Sequence, residues 1–252
     1  MLDSDWNYVW LDSDDGKCTA ANASPGAALA AGNAVMVMPN VIGEAECASI
    51  LQAGTRAADV QEASLGRRVA ASIAEFTSNN QRSQGRTRVP ISTCSAATEK
   101  LFDQLFAKVL ARLDLQPSVV GLFDAPSLTS LHSTGSLEFS AREPAFNRYC
   151  AGSEFNAHID RQTLTILIYL TNPDSCEGGG TGFWSQQTAR GALLKDTDSE
   201  PPTVVLSPPA GTALIYGGNV MHAGMPVKSG TRSIFLGSFS RKRRDLQLLE
   251  SD

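Results

Sequence analysis

The sequence has very little histidine. Its 252 residues include only His132, His158 and His222, so any chemistry that needs imidazole must use these few positions. Five cysteines are scattered along the chain, and none of them forms a Cys-x-x-Cys pair. Zinc knuckles and secreted disulfide frameworks need clustered or paired cysteines, so this spacing disfavours both. The thiols are predicted to be free.

Long apolar runs and an excess of positive charge are also missing. No stretch reaches about 18 apolar residues, so no membrane span and no membrane partner are predicted. Lys and Arg number 21 against 26 Asp and Glu, and the net charge of −5 makes a nucleic-acid partner unlikely. The first residues are acidic, unlike those of a signal peptide. We expect a cytoplasmic protein, and the basic run 241–244 leaves a nuclear location open.

The composition divides the chain into three parts. With 42% hydrophobic residues, the chain is able to bury one large core. Residues 1–33 are first acidic and then rich in alanine and glycine, so we expect a mobile extension there. Residues 34–241 form the predicted main domain, and residues 242–252 are predicted to be a C-terminal tail.

Hydrophobic patterning predicts helices first and strands afterwards, an α+β arrangement. A short strand is expected at 35–38 and a helix at 43–58. The strongest helix is predicted over 96–113, with Ser95 as its N-cap. After residue 120, short β-type runs alternate with turn residues, as is typical of a sandwich or barrel. These runs are 145–150, 163–170, 180–185, 203–207, 212–216 and 232–239.

Residues 79–88 are polar and contain three arginines, Arg82, Arg86 and Arg88. This composition predicts an exposed loop. A solvated connection is the favoured interpretation. The alternative is a lid over a binding site, in which Arg82 would contact substrate.

One segment has the pattern of a metal site. Residues two apart in an extended segment point to the same face, so His158 and Asp160 are expected side by side. His222 follows 62 residues later, which is enough chain for strands to cross and return. Two histidines and one carboxylate suit non-haem Fe(II), because they leave other coordination positions open. A His-x-Asp triplet also arises by chance, and His222 taken alone would more often be a structural histidine than a ligand.

Arg232 strengthens the interpretation as a metal site. It begins an apolar run, and an arginine on a buried strand needs an anion because an unpaired guanidinium there is costly. A bound dicarboxylate would supply that anion in bidentate fashion. By period 2, Tyr169 shares a face with Thr165, and Tyr149 precedes His158 by nine residues. Each tyrosine alone would more simply be a core residue.

Several motifs point to one family. The stretch RYCAGSEFNAHID at 148–160 resembles the RYxxGxxYxxHxD signature of prolyl-4-hydroxylase-like Fe(II)/2-oxoglutarate dioxygenases. Further similarities lie at 169–171, at 179–183 (GGTGF), at 209–216 (PAGTALIY) and from His222 to Arg232. Residues 41–47 look like the family's entry helix. The motifs occur in family order over roughly 35–241, so the resemblance makes 34–241 the dioxygenase domain. Phe155 stands where the family often has Tyr.

The resemblance implies a double-stranded β-helix (jelly-roll) core with N-terminal supporting helices. His158, Asp160 and His222 would hold Fe(II), and Arg232, with Tyr169, would bind the distal carboxylate of 2-oxoglutarate. Tyr149 would lie near the oxo-acid end or the iron. O2 is the implied co-substrate, and ascorbate would be supportive. Trp184 is a tentative substrate contact as well as Arg82, because it follows the glycine run and could wall the pocket; a packing role is equally open.

The implied activity is hydroxylation of an unactivated C–H bond, with release of succinate and CO2. The leading interpretation of the substrate is a prolyl residue in a peptide or protein. A free amino acid or other small metabolite is the first alternative. A catalytically silent jelly-roll binding module, a nucleic-acid demethylase and a hydrolytic zinc site are weaker ones. The sequence does not predict an oligomeric state.

Overall fold

The computed structural model describes residues 6–11, 24–69, 85–185 and 200–242. The helices are α1 (Pro25–Ala31), α2 (Glu44–Val69), α3 (Ala96–Leu113), α4 (Pro117–Val120) and α5 (Leu128–Ser133). The first strands are β1 (Asn7–Trp10), β2 (Ala34–Met38), β3 (Arg86–Pro90), β4 (Leu137–Phe139), β5 (Ala145–Cys150), β6 (Phe155–His158) and β7 (Leu164–Tyr169). The remaining strands are β8 (Cys176–Gly178), β9 (Thr181–Trp184), β10 (Val204–Leu206), β11 (Ala213–Gly217), β12 (Met221–Gly224) and β13 (Val227–Arg241).

The strands form two antiparallel sheets. The larger sheet has the order β1-β2-β11-β7-β13-β5-β3, with β4 and β8 also paired to β13. The smaller sheet has the order β10-β9-β12-β6. Side chains from both sheets, among them Leu167, Phe183 and Tyr216, form one buried cluster, so the sheets pack face to face. The predicted α+β class is confirmed.

The helices cover the other face of the larger sheet. On α3, the Phe102 ring lies 6.2 Å from the ring of Phe146 and 5.0 Å from that of Phe235, measured between centroids. On β7, Ile166 and Ile168 belong to this helix-side core, whereas Leu167 and Tyr169 belong to the core between the sheets. A central strand covered on both faces is expected to be largely apolar, which explains why all six residues of Leu-Thr-Ile-Leu-Ile-Tyr are buried and only Thr165 among them is strongly polar.

Helix α3 has the bounds that the sequence predicts. Ser95 is its N-cap, and the Ser95 hydroxyl accepts a hydrogen bond from the Thr98 N–H. The apolar positions at helical spacing are buried, except for the half-buried Leu101. The predicted helix 43–58 begins at Glu44 but continues to Val69. At Gly54 this helix packs directly on the Phe146 ring. A Cβ at this position would lie 2.3 Å from the ring, so only glycine allows so close an approach.

The mobile extension predicted for residues 1–33 is wrong for the part that the structure describes. Strand β1 pairs with β2, and Leu29 of α1 is fully buried. The small residues that suggested mobility are what allow α1 to pack closely. A Cβ at Gly26 would lie 1.9 Å from the Ser118 carbonyl oxygen, so only glycine permits this contact with α4. Residues 1–5 and 12–23 lie outside the described residues.

The exposed loop predicted over 79–88 is also wrong in its second half. Arg86–Pro90 is the edge strand β3, which pairs with β5. The alternation of residues in this strand gives its two arginines one face and Thr87 the other. Residues 79–84, and with them Arg82, lie outside the described ranges. The short helices α4 and α5 were not predicted. With four and six residues, they are too short to show the 3.6-residue apolar repeat of a helix.

Cys47, Cys94, Cys150 and Cys176 are free, as predicted, and Cys18 is not among the described residues. In the described ranges, no helix has both the length and the apolar character needed to cross a membrane. The predicted tail 242–252 is described only at Lys242, so its proposed boundary remains a prediction.

Candidate metal centre

Three residues with metal-ligating side chains meet between the two sheets. His158 ends β6, Asp160 follows two residues later, and His222 on β12 is the cross-strand partner of His158. The His158 Nε2 lies 3.4 Å from Asp160 Oδ1, and the His222 Nε2 lies 3.5 Å from Asp160 Oδ2. One ligand atom from each residue falls within 4.8 Å of the other two. The three side chains are therefore close enough to share one ion.

Two backbone contacts fix the segment after Asp160 against the segment before His222. The Arg161 N–H donates to the Gly218 carbonyl at 2.9 Å, and Arg161 adopts a left-handed φ of 62°. A Cβ at Gly218 would lie 1.9 Å from the carbonyl oxygen of Gln162, so glycine is required for this approach. The contacts lie close to both ligand-bearing strands and hold their separation.

The imidazoles are oriented to present Nε2 to the centre. The Nδ1 of His158 is 2.8 Å from the Asn156 carbonyl oxygen, and that of His222 is 3.0 Å from the Val220 carbonyl oxygen. Donation of each Nδ1–H to its carbonyl leaves the lone pair on Nε2, the arrangement of a metal-binding histidine. Burial lowers the pKa of His222 to about 4, so its ring is neutral at neutral pH.

Asp160 supplies the negative charge of the group. Burial by itself would raise its pKa, but the two neighbouring imidazoles and the hydrogen bond from Thr165 outweigh burial and hold the pKa below its ordinary value. The Thr165 hydroxyl donates to Asp160 Oδ2 at 2.6 Å. This bond fixes the rotation of the carboxylate, which sits in a buried site and can accept from few other donors.

Replacing Thr165 by valine should weaken binding of a divalent metal by about tenfold, because second-layer hydrogen bonds orient a ligand carboxylate. Thr165→Ser keeps the hydroxyl and is the matched control, for which we expect wild-type affinity. Calorimetric titration with Mn(II) measures the change, and thermal unfolding checks that both variants fold. Equal affinities for the two variants would show that the Thr165 hydroxyl does not position Asp160.

Arg232 lies on β13 in the same cavity and is 2% exposed. Its Nη2 donates to the Tyr169 hydroxyl at 3.1 Å and to Thr181 Oγ1 at 2.7 Å. The Tyr169 hydroxyl in turn donates to the Leu206 carbonyl at 2.9 Å. The Nε and Nη1 of Arg232 are buried without a hydrogen-bond partner, and no carboxylate among the described residues pairs with it. An unpaired buried guanidinium marks a place built for an anion.

Tyr149 connects two arginines across the larger sheet. It is the cross-strand partner of Arg232 on one side and of Arg86 on the other. The Arg232 guanidinium lies 5.0 Å from the centroid of the Tyr149 ring and 4.9 Å from that of Tyr169. The Tyr149 hydroxyl accepts a hydrogen bond from Arg86 Nη1 at 3.3 Å. The structure thus places both predicted tyrosines against Arg232.

His158, Asp160 and His222 line one cavity of about 300 Å³ together with Arg232 and Tyr149, at the lower end of the range for small-molecule sites. Tyr169 borders a smaller neighbouring cavity instead. The first cavity also receives three charged side chains that the sequence did not assign to the site, Arg86, Arg88 and Glu143. Arg88 Nη2 pairs with Glu143 Oε1 at 2.6 Å. Burial raises the pKa of Glu143, although Arg88 acts in the opposite direction. The sequence shows Arg86 and Arg88 close together. Only the pairing of β3 with β5 places their side chains in the cavity.

The structure places Trp184 away from the cavity, in line with the packing role that the sequence left equally open. On β9, Thr181 and Phe183 face the site, whereas Trp184 lies on the opposite face and does not line the cavity. The Trp184 Nε1–H donates to the Glu200 carbonyl at 2.9 Å, which is a packing role. Phe183 instead packs near the ring of His222, with the two ring centroids 6.3 Å apart.

The smaller sheet, the larger sheet and the centre between them define a jelly-roll with a two-histidine, one-carboxylate site. A family model described as the 2OG-Fe(II) oxygenase superfamily matches residues 144–240. This segment contains His158, Asp160, His222 and Arg232. Residues 144–240 therefore match the 2OG-Fe(II) oxygenase superfamily, and the family resemblance predicted from the sequence is confirmed for this segment.

The similar proteins are hydroxylases by name. A PKHD-type hydroxylase of Xanthomonas campestris is 30% identical over 142 residues, which are 50% of this chain and 56% of the relative. One from Bordetella pertussis is 33% identical over 126 residues, 43% of this chain and 50% of the relative. The chain thus spans about half the length of the curated relatives that it matches.

A solved structure supports the fold. The viral collagen prolyl hydroxylase of Paramecium Bursaria Chlorella virus-1, in its 2OG complex, superposes with a TM-score of 0.50 at 15% identity. The match covers 83% of this chain and 96% of the viral chain. At this identity the likeness concerns the fold alone, and it confirms the predicted jelly-roll core.

Proposed function

We propose that the protein is an Fe(II)/2-oxoglutarate-dependent dioxygenase that hydroxylates an unactivated C–H bond and releases succinate and CO2. One observation carries the proposal. The His158, Asp160 and His222 group opens into the same small cavity as the buried, unpaired guanidinium of Arg232. A metal site next to an anion site is what a dicarboxylate that chelates iron requires.

The donor set fits Fe(II). Two neutral imidazoles and one carboxylate leave coordination positions open for ligands other than protein, as in non-haem Fe(II) oxygenases. A hydrolytic zinc site would use similar ligands, but it would give no role to Arg232 and the two tyrosines that surround it. We therefore assign His158, Asp160 and His222 as the iron ligands.

The surroundings of Arg232 fit the distal carboxylate of 2-oxoglutarate. The Nε and Nη1 of the guanidinium are the unused donors, and a carboxylate accepts from such a planar fork in bidentate fashion. The hydroxyls of Tyr169 and Thr181 hold Nη2, so the fork has a fixed orientation. Tyr149 covers the guanidinium and separates it from Arg86.

Iron, 2-oxoglutarate and O2 supply the oxidising power when bound, and the protein supplies binding, orientation and the exclusion of water. Asp160 contributes the charge that holds the metal, and Thr165 keeps its carboxylate in place. Tyr216 is buried with its ring centroid 4.7 Å from that of His222, and together with Phe183 it shields the ligands from solvent. In this assignment, no side chain acts as a general acid or base.

For the substrate we propose a prolyl residue in a peptide or protein, with a free amino acid or small metabolite as the second candidate. The names of the similar proteins favour the first candidate, and the modest volume of the cavity favours the second. A catalytically silent binding module would have no need of a complete ligand set with Arg232.

Succinate formation tests the activity. The full chain is incubated with Fe(II), 2-oxoglutarate and ascorbate, with a proline-rich peptide, with free L-proline or with neither. We expect succinate formation to require Fe(II) and to increase with one of the two additions. Replacement of Fe(II) by Zn(II) is the control and should give no succinate. If no succinate forms and 2-oxoglutarate does not bind the metal-loaded chain, the domain is a silent module.

A further inference from the structure

A second arginine in the cavity, Arg86, has no anionic partner among the residues that the structure describes. Its side chain reaches from the edge strand β3 into the cavity, where its Cζ lies 3.8 Å from the centroid of the Phe155 ring. Its Nη1 donates to the Tyr149 hydroxyl, and its Nε is buried without a hydrogen-bond partner. Both contacts are with neutral groups, so the positive charge is not compensated.

The other positive charges of this region are accounted for. Arg88, two residues along the same strand, has Glu143 at 2.6 Å, and Glu143 also accepts from the Ser238 N–H. Arg148 on β5 pairs with acidic residues of α2 on the opposite face of the sheet. Arg232 is reserved for 2-oxoglutarate. In the described residues, Arg86 has no carboxylate within 4 Å, and residues 81–84 contain no acidic side chain.

The position of Arg86 connects it to the metal ligands. The Phe155 ring, on which the guanidinium lies, is 4.3 Å from the His158 ring between centroids. A small anionic molecule held by Arg86 in the cavity would therefore sit close to His158 and the metal-binding group. Stacking on Phe155 also restricts the guanidinium, which presents its unused N–H groups as a preformed fork.

We propose that Arg86 binds a carboxylate of the primary substrate and thereby makes the enzyme selective for an anionic substrate. This inference rests on the proposed function and adds the substrate class. The carboxylate belongs either to a free amino acid or similar metabolite, or to an acidic residue next to the target in a peptide. Charge-assisted hydrogen bonds in a partly buried cavity favour such a substrate by about tenfold or more over a neutral analogue.

Two pairs of probes that differ in one carboxylate test the proposal. The first pair is L-proline and L-prolinamide, and the second is the peptide Ac-Ala-Pro-Glu-Ala-amide and its glutamine counterpart. The full chain is loaded with Zn(II), which is redox-inert, and saturated with 2-oxoglutarate, so that calorimetry measures binding without turnover. We expect the wild type to bind the acidic member of one pair at least tenfold more tightly, and the pair that shows this identifies the source of the carboxylate.

Variants test whether Arg86 causes the preference for the acidic probe. Arg86→Gln should reduce the ratio to about twofold or less, whereas Arg86→Lys should keep part of it. Arg148→Gln is the matched control, because it removes one positive charge from the opposite face of the neighbouring strand and should keep the full ratio. All three variants should bind 2-oxoglutarate as the wild type does.

The outcomes separate this proposal from the proposed function. If 2-oxoglutarate binds but the wild type prefers neither acidic probe, or binds none of the four, the assignment of Arg86 fails and the dioxygenase assignment stands. A preference that persists in Arg86→Gln, or a loss of 2-oxoglutarate affinity in that variant, also overturns it. If the Zn(II)-loaded wild type does not bind 2-oxoglutarate, the proposed function fails first.

Discussion

Asp160→Ala should abolish both iron binding and succinate formation while the protein still folds. Asp160 is the only carboxylate of the three-residue group, and its charge is what offsets that of a divalent ion. Two neutral imidazoles alone bind Fe(II) weakly. We expect metal affinity to fall by at least about a hundredfold, in line with the loss of a complete ligand rather than of an outer hydrogen bond. Anaerobic titration with Fe(II) measures this loss directly.

The thermal stability of the variant and a control substitution show whether the effect of Asp160→Ala is specific to metal binding. Removing a carboxylate that contacts two histidines and the Thr165 hydroxyl leaves no large apolar cavity, so the thermal midpoint of the metal-free protein should change little. Asp174→Ala is the control, because Asp174 is exposed in the turn that precedes β8 and lies away from the cavity. Fe(II) binding or turnover that survives in Asp160→Ala would place the metal elsewhere.

Arg232→Met should raise the dissociation constant of 2-oxoglutarate by about a hundredfold or more, since truncating one partner of a buried, hydrogen-bonded charge pair costs about 2–5 kcal/mol. Methionine fills most of the space of the arginine stem, so the change removes charge and donors without opening a large void. Calorimetric titration of the Zn(II)-loaded chain with 2-oxoglutarate measures the affinity. Metal affinity in the absence of 2-oxoglutarate should be unchanged.

The same substitution should leave the ligand-free protein as stable as the wild type or more stable. Without an anion, the buried guanidinium of Arg232 has two unsatisfied nitrogens, and methionine removes their desolvation cost. Saturating 2-oxoglutarate should raise the thermal midpoint of the wild type but not of the variant, because only the wild type gains binding energy in the folded state. A variant that 2-oxoglutarate stabilises as much as the wild type would mean that Arg232 is not the anchor.

Patterns among residues close together in the sequence predicted much of the site. The two-residue spacing of His158 and Asp160 put their side chains together, and an arginine at the start of an apolar strand indicated a buried anion site. Period 2 also placed Tyr169 on the face of Thr165, and both side chains do point between the sheets. These inferences concern neighbours along one strand, where backbone geometry alone fixes relative direction.

Errors arose where the direction of a face mattered. Phe183 and Trp184 are equally apolar, but only one side of β9 meets the metal group, and the pairing of β9 with β12 decides which side that is. Arg86 looked like part of a polar loop, because an edge strand next to a cavity has the composition of a surface segment. Residues 24–33 looked too small to pack, although small side chains are what let α1 lie close to α4.

The amino-acid sequence by itself determined the helix over 96–113, the strand character of the second half and the shared face of His158 and Asp160, and it predicted a metal site there and an anion at Arg232. The tertiary structure alone decided that His222 stands opposite His158, that Arg86 enters the cavity and that Trp184 does not. The reason is that alternation tells which residues share a face, whereas only the register between distant strands tells which face is turned inward.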